Sequence, residues 1–162
     1  SFHLQISRLE SALGMRVHVA AILTFSVVIT AIAGLRAQES QTFRGRLSPV
    51  PISADMASRI TGSGSMTAQL SGTTLTIAGL FTGLQSPATL AHVHIGERTG
   101  VRGPAVFDVR VDKATTGSMS ATIELSESQI ASLRRGFFYV QIHSEKAADG
   151  NLWGWLLAEE KK

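Results

Sequence analysis

The stretch Leu90-Ala-His-Val-His-Ile-Gly96, followed by the turn-rich run Glu97-Arg-Thr-Gly-Val-Arg-Gly-Pro104, decides how the chain is built. A strand turns successive side chains to opposite faces. Read that way, His92 and His94 project from one face, and Val93 and Ile95 from the other. The run Phe137-Phe-Tyr-Val-Gln-Ile-His143 has the same period, with Phe138, Val140 and Ile142 as its more apolar row. Phe137, Tyr139, Gln141 and His143 form the other row. If the two aliphatic rows build one core, His92, His94 and His143 share the outer face.

Working outward, short alternating runs are separated by turn residues, the pattern of an antiparallel sandwich or barrel. Thr42 to Leu47 is extended and stops at Pro49-Val-Pro51. Ser65 to Leu70 and Thr74 to Leu80 flank Ser71-Gly72-Thr73, a tight hairpin connection. In Val106 to Asp112, Phe107, Val109 and Val111 alternate with Asp108, Arg110 and Asp112. Ser118 to Leu125 alternates likewise through Met119, Ala121 and Ile123. One helix interrupts the strands: Ser126-Glu-Ser-Gln129 is a capping box, Ile130 and Leu133 make an inward stripe, and Gly136 stops it. The last two strands, Phe137 to His143 and Asn151 to Leu157, are expected to join through Asp149-Gly150. The expectation is an all-β domain over residues 38–162, with about eight strands and one short helix.

The segment before that domain stands apart. Val19 to Leu35 carries no charge, is mostly apolar and is flanked by Arg16 and Arg36. Residues 15–37 therefore read as a secretory signal peptide, with small residues suited to cleavage at Ala31-Ile-Ala33 and Leu35-Arg-Ala37. An uncleaved membrane anchor is the competing reading, and in it the leader is the only membrane contact. Its 17 residues would span only about 26 Å at helical rise, short of a hydrocarbon core of roughly 30 Å. Residues 1–14 precede Met15 and are left out of the fold reading. The localisation implied is secreted or periplasmic.

Composition narrows the chemistry. The chain has no cysteine, which excludes disulfides, thiolate metal sites and a cysteine nucleophile within it. Its net charge of +3 partly reflects the leader: Arg8, Arg16, Arg36 and Glu10 all precede Gln38, leaving about +1 for the domain. With no basic cluster beyond Arg134-Arg135 and Lys161-Lys162, no nucleic-acid partner is expected. No nucleophilic serine motif, phosphate-cradling loop or dinucleotide fingerprint occurs.

The order of motifs resembles the CHRD domain, named from repeats in chordin and also found singly in secreted bacterial proteins. The resemblance is carried by Phe43-Arg-Gly-Arg-Leu47, Gly62-Ser-Gly64, Leu70-Ser-Gly-Thr-Thr-Leu75 and Gly79 to Leu84. It continues through His92-Val-His-Ile-Gly96, Gly103-Pro104, the helix with Leu133 and Gly136, and Tyr139-Val-Gln-Ile-His143 to Gly154. It implies a Greek-key β-sandwich or barrel, immunoglobulin-like and distantly similar to copper/zinc superoxide dismutases. In those enzymes copper lies outside the barrel, with two ligands from a comparable His-Val-His strand. The family also tends to end in a Glu-Ile-Arg-Gly-type strand, whereas this chain has Ala147-Ala-Asp-Gly-Asn-Leu-Trp-Gly-Trp155. No role resting on that arginine transfers.

The candidate site is the histidine set, and two readings stay open. Alternate strand residues lie about 6–7 Å apart, so His92 and His94 can chelate one ion, and His143 would complete a three-nitrogen set for copper or zinc. Alternatively His92 and His94 hydrogen-bond to loops such as Thr99 to Pro104, and His143 orders the segment from Ser144 to Asn151. Arg98 and Arg102 could receive an anion, although loop arginines are ordinarily solvated. Asp108 and Asp149 lack a partner carboxylate and read as surface and turn residues. Trp153 and Trp155 share a face and would be open to a stacking ligand if Leu152 and Leu156 are core, unless a second buried sheet face covers them. The reading is a noncatalytic binding module for an unassigned extracytoplasmic ligand or protein, with copper or zinc binding through His92, His94 and His143 as the alternative. A superoxide-dismutase-like redox enzyme is disfavoured, because a fourth copper ligand, a bridging histidine and a zinc-site set are missing.

Overall fold

The computed structural model describes residues 40–50 and 54–159. The expected leader, residues 15–37, and the upstream segment, residues 1–14, lie outside the described residues. Among the described residues nine strands alternate with one short 3-10 helix and one α-helix. They are β1 (Gln41–Pro49), the 3-10 turn (Ala54–Arg59), β2 (Ser63–Ser71), β3 (Thr74–Thr82), β4 (Ala88–Ile95) and β5 (Ala105–Val111). There follow β6 (Gly117–Glu124), α1 (Glu127–Arg134), β7 (Phe138–Ser144), β8 (Ala147–Trp155) and the two-residue β9 (Leu157–Ala158).

Pairing is antiparallel throughout, in the order β1-β2-β3-β6-β5-β4-β7-β8, and β1 pairs with both β2 and β8, so the sheet closes. The sequence order of neighbours jumps from β3 to β6 and from β4 to β7, which is a Greek key. Two seams are thin. β5 meets β6 only at Arg110↔Ser120 and Val111↔Met119, and β1 meets β8 only at Ser48↔Trp153 and Pro49↔Leu152. The barrel is thus flattened into two sheets, β1-β2-β3-β6 and β5-β4-β7-β8, with β9 laid against β1.

The core lies between the sheets. Phe43, Leu47, Leu75, Ile77 and Phe81 meet Val93, Phe138, Val140, Ile142 and Leu152 in one buried cluster. Each such side chain contributes about 1.5–3 kcal/mol by leaving water. The expected rows hold: Val109, Val111, Met119 and Ile123 point inward. The β2–β3 hairpin turns on Gly72 and Thr73, with Gly72 at φ 61°, the left-handed geometry that two-residue turns require at their first position.

Helix α1 sets where β7 begins. Ser126 accepts from the Gln129 backbone N–H while the Gln129 side chain accepts from the Ser126 N–H, so the capping box forms. At the other end Phe137 N–H donates to Ser132 and Gly136 N–H donates to Leu133, with Gly136 at φ 73°. This double bond pattern is a Schellman stop. Leu133, fully buried, pins the helix to the core, so β7 leaves at a fixed residue and its alternation relative to β4 is set.

One connection differs from expectation. β7 and β8 join at Glu145-Lys146, and Asp149-Gly150 lies inside β8. The ladder pairs Ile142 with Leu152 and Ser144 with Ala147, so four residues of β8 stand opposite His143. That is a bulge, not a turn. Gly150 is needed there because it has φ 130° and a Cβ would come within 2.1 Å of the Gln141 amide nitrogen.

Replacing Ser126 by Ala removes the cap acceptor and should lower unfolding free energy by about 1 kcal/mol. Urea denaturation reads this as a lower midpoint at unchanged slope.

Candidate metal centre

β4 and β7 are direct neighbours, pairing His92 with Gln141, His94 with Tyr139 and Leu90 with His143. With Val93, Val140 and Ile142 in the core, all three histidines share the outer face, as the alternation predicts. His143 sits diagonally from His92. Their ring centroids are 5.3 Å apart, and those of His92 and His94 are 6.1 Å apart. One ring nitrogen from each of His92, His94 and His143 lies within 4.8 Å of the other two. Three such atoms share a point within about 2.8 Å, so small ring rotations reach the 2.0–2.1 Å of a Zn–N bond.

This outer face is more covered than its alternation suggests. The loop after β4 folds back, so that Ile95 N–H donates to Pro104 and Gly96 N–H donates to Phe137. Gly103 packs against the end of β4, and a Cβ there would fall 1.8 Å from the Ile95 carbonyl oxygen. The Gly103 carbonyl accepts from the Tyr139 hydroxyl at 3.1 Å and lies 3.0 Å from His94 Nδ1. On the other side, the β8 bulge presents the Ala148 carbonyl 2.7 Å from His143 Nδ1 and the Asp149 carbonyl to the Gln141 amide. Tyr139 and Gln141 are consequently buried, at 1% and 3% exposure, on the face opposite the core.

Those contacts determine the chemistry of the rings. A carbonyl can only accept, so Nδ1 of His94 and of His143 must carry the proton, leaving the Nε2 lone pair of each unprotonated. Both Nε2 atoms are buried and, among the described residues, have no hydrogen-bond partner. An unmatched buried polar atom costs about 1–3 kcal/mol. Backbone carbonyls on the far nitrogens are also the outer contacts that metal-binding imidazoles commonly have. In His94 and His143, then, one ring nitrogen binds a backbone carbonyl and the other keeps an unshared lone pair.

Burial holds His94 and His143 below the usual histidine range, outweighing the backbone hydrogen bonds that raise them. The neighbouring histidines and, at His94, Arg102 push in the same direction as burial. The lowered pKa of each favours the neutral ring that ligation requires.

The aromatic residues are arranged differently from the exposed pair considered above. Leu152 and Leu156 are core, yet Trp153 and Trp155 are half-buried. Tyr139 stacks on His94 at 4.7 Å between centroids, Trp155 lies 4.5 Å beyond Tyr139, and the Arg102 guanidinium covers Trp153 at 5.4 Å. Tyr139, Trp153 and Trp155 thus pack as one aromatic group that reaches the histidines through the Tyr139–His94 stack. Tyr139 and Gln141 are the residues that sequence reasoning passed over. Their place on the histidine row was visible, but the loops that bury them were not.

A Greek-key β-barrel with three convergent imidazoles on its outer face is the class that fold and site define. The CHRD domain family model matches residues 37–156, and the chain belongs to that family. No match was found among curated proteins or among solved structures.

Two outcomes follow for the metal-free protein. The unfolded chain takes up protons on His94 and His143 at higher pH than the fold does. Stability is therefore full above about pH 6.5 and falls as pH drops below it. Chemical denaturation across that window should show the fall, and a His94→Gln/His143→Gln variant should flatten it. Gly103→Ala forces backbone apart beside His94 and should cost about 1–3 kcal/mol, read as a lower thermal midpoint.

Proposed function

We propose that this CHRD domain is an exported, noncatalytic binding module whose ligand is a single copper or zinc ion held by His92, His94 and His143. The observation that carries the reading is the pair of buried Nε2 atoms on His94 and His143, each unpartnered among the described residues and each opposed by a carbonyl on Nδ1. A purely structural role accounts for the Nδ1 bonds and leaves the Nε2 atoms unexplained. Three imidazoles with no thiolate suit copper or zinc, and three protein ligands leave a position open for water or an exchangeable group. Export follows from the apolar segment Val19 to Leu35, read as a leader. A dismutase-type activity has less support, because the chain after Gln38 contains only these three histidines and no cysteine.

Calorimetric titration of tag-free protein with Zn(II) or Cu(II) should give one ion per chain. The His92→Ala/His94→Ala variant should abolish binding. Metal at about 100 times its Kd should stabilise the wild type by about 2.7 kcal/mol and leave the variant unmoved. A wild type that binds neither ion ends the metal reading and leaves a module whose partner must be sought among other ligands.

A further inference from the structure

The three imidazoles are not held alike. His94 and His143 are tied through Nδ1 to the carbonyls of Gly103 and Ala148. His92, with its side chain 22% exposed, faces a carboxylate instead. Across the β4–β5 ladder His92 pairs with Asp108, and its Nε2 lies 3.6 Å from Asp108 Oδ1. The ladder is irregular immediately afterwards: Val93 pairs with Phe107 but His94 pairs with Ala105, leaving Val106 unmatched. The Asp108 side chain is 99% exposed, and no hydrogen bond holds it among the described residues.

We infer that Asp108 is a positioning residue for His92: its carboxylate accepts a hydrogen bond from Nε2–H, holds the proton on that nitrogen and thereby commits the Nδ1 lone pair of His92 to the ion. The inference rests on the metal reading above and names how that site selects its donor atoms. A neutral imidazole carries one N–H, and a carboxylate 3.6 Å from Nε2 attracts that N–H and repels a lone pair. The separation is slightly long for a hydrogen bond, but an unrestrained aspartate closes it by rotating. Ion binding draws electron density from the ring and makes its N–H a stronger donor, so the contact tightens as the ion arrives. The set is then mixed, with Nε2 from His94 and His143 and Nδ1 from His92. The single negative charge lies at the solvent side, where it offsets part of the ion's charge.

The test uses 15N-labelled protein near pH 7.5, first metal-free and then with one equivalent of Zn(II), followed by long-range proton–nitrogen correlation of the imidazoles. The metal-free protein should show His92 protonated at Nε2 and His94 and His143 protonated at Nδ1. Zinc should move the Nδ1 signal of His92. Asp108→Ala should weaken zinc binding by about 10–100-fold without changing the metal-free thermal midpoint. Asp108→Asn keeps an acceptor oxygen and should recover part of the loss. Equal losses in the two variants would mean a charge effect only, and would overturn the inference. So would His92 protonated at Nδ1, zinc on its Nε2, or an Asp108→Ala affinity within about twofold of wild type. If the wild type takes up no zinc or copper, the metal reading fails. The metal-free tautomer of His92 still decides whether Asp108 sets that ring.

Discussion

Closure of the sheet is the constraint on which the rest depends. An open eight-stranded sheet would leave two unpaired edges, and pairing β1 with both β2 and β8 removes them. The Greek-key order that achieves closure makes β4 and β7 neighbours, pairing Ile95 with Phe138 although 42 residues of chain, through β5, β6 and α1, lie between them. That adjacency brings His143 beside His92. No local preference of either strand could do so, because each strand specifies only which of its own residues share a face.

Closure leaves little slack. Side chains from both sheets fill the interior, so irregularities in the ladders are pushed outward, where they acquire chemical use. The β8 bulge opposite His143 turns the Ala148 and Asp149 carbonyls toward β7, and the irregularity in β5 falls beside His92 and His94. The loop from Gly96 to Gly103 is pressed so close to β4 that only glycine fits at its contact with Ile95. These features together place carbonyl acceptors behind two imidazoles and bury their opposite nitrogens. The site is therefore a consequence of how the barrel's outer face is covered.

Much of this was legible in the residues. Period-two alternation locates the strands, the capping box locates α1, and the row shared by Tyr139, Gln141 and His143 puts the third histidine on the same face as the first two. The β7–β8 connection was misread for a physical reason. Asp-Gly is the usual chemistry of a hairpin turn, but here Gly150 serves close backbone approach to Gln141. The Trp pair stayed conditional because a strand's own pattern does not say which loops fold over its outward face.

By itself the sequence determined the strand periods, the helix caps, the family pattern and the facing of each histidine. All of these follow from interactions within a few residues of chain. Only the tertiary structure decided that three imidazoles converge within 4.8 Å, that two of them are locked as Nδ1–H tautomers, and that Asp108 faces the third. Such facts depend on which distant strands pair and where their ladders slip, and long-range pairing is settled by closing one packed core.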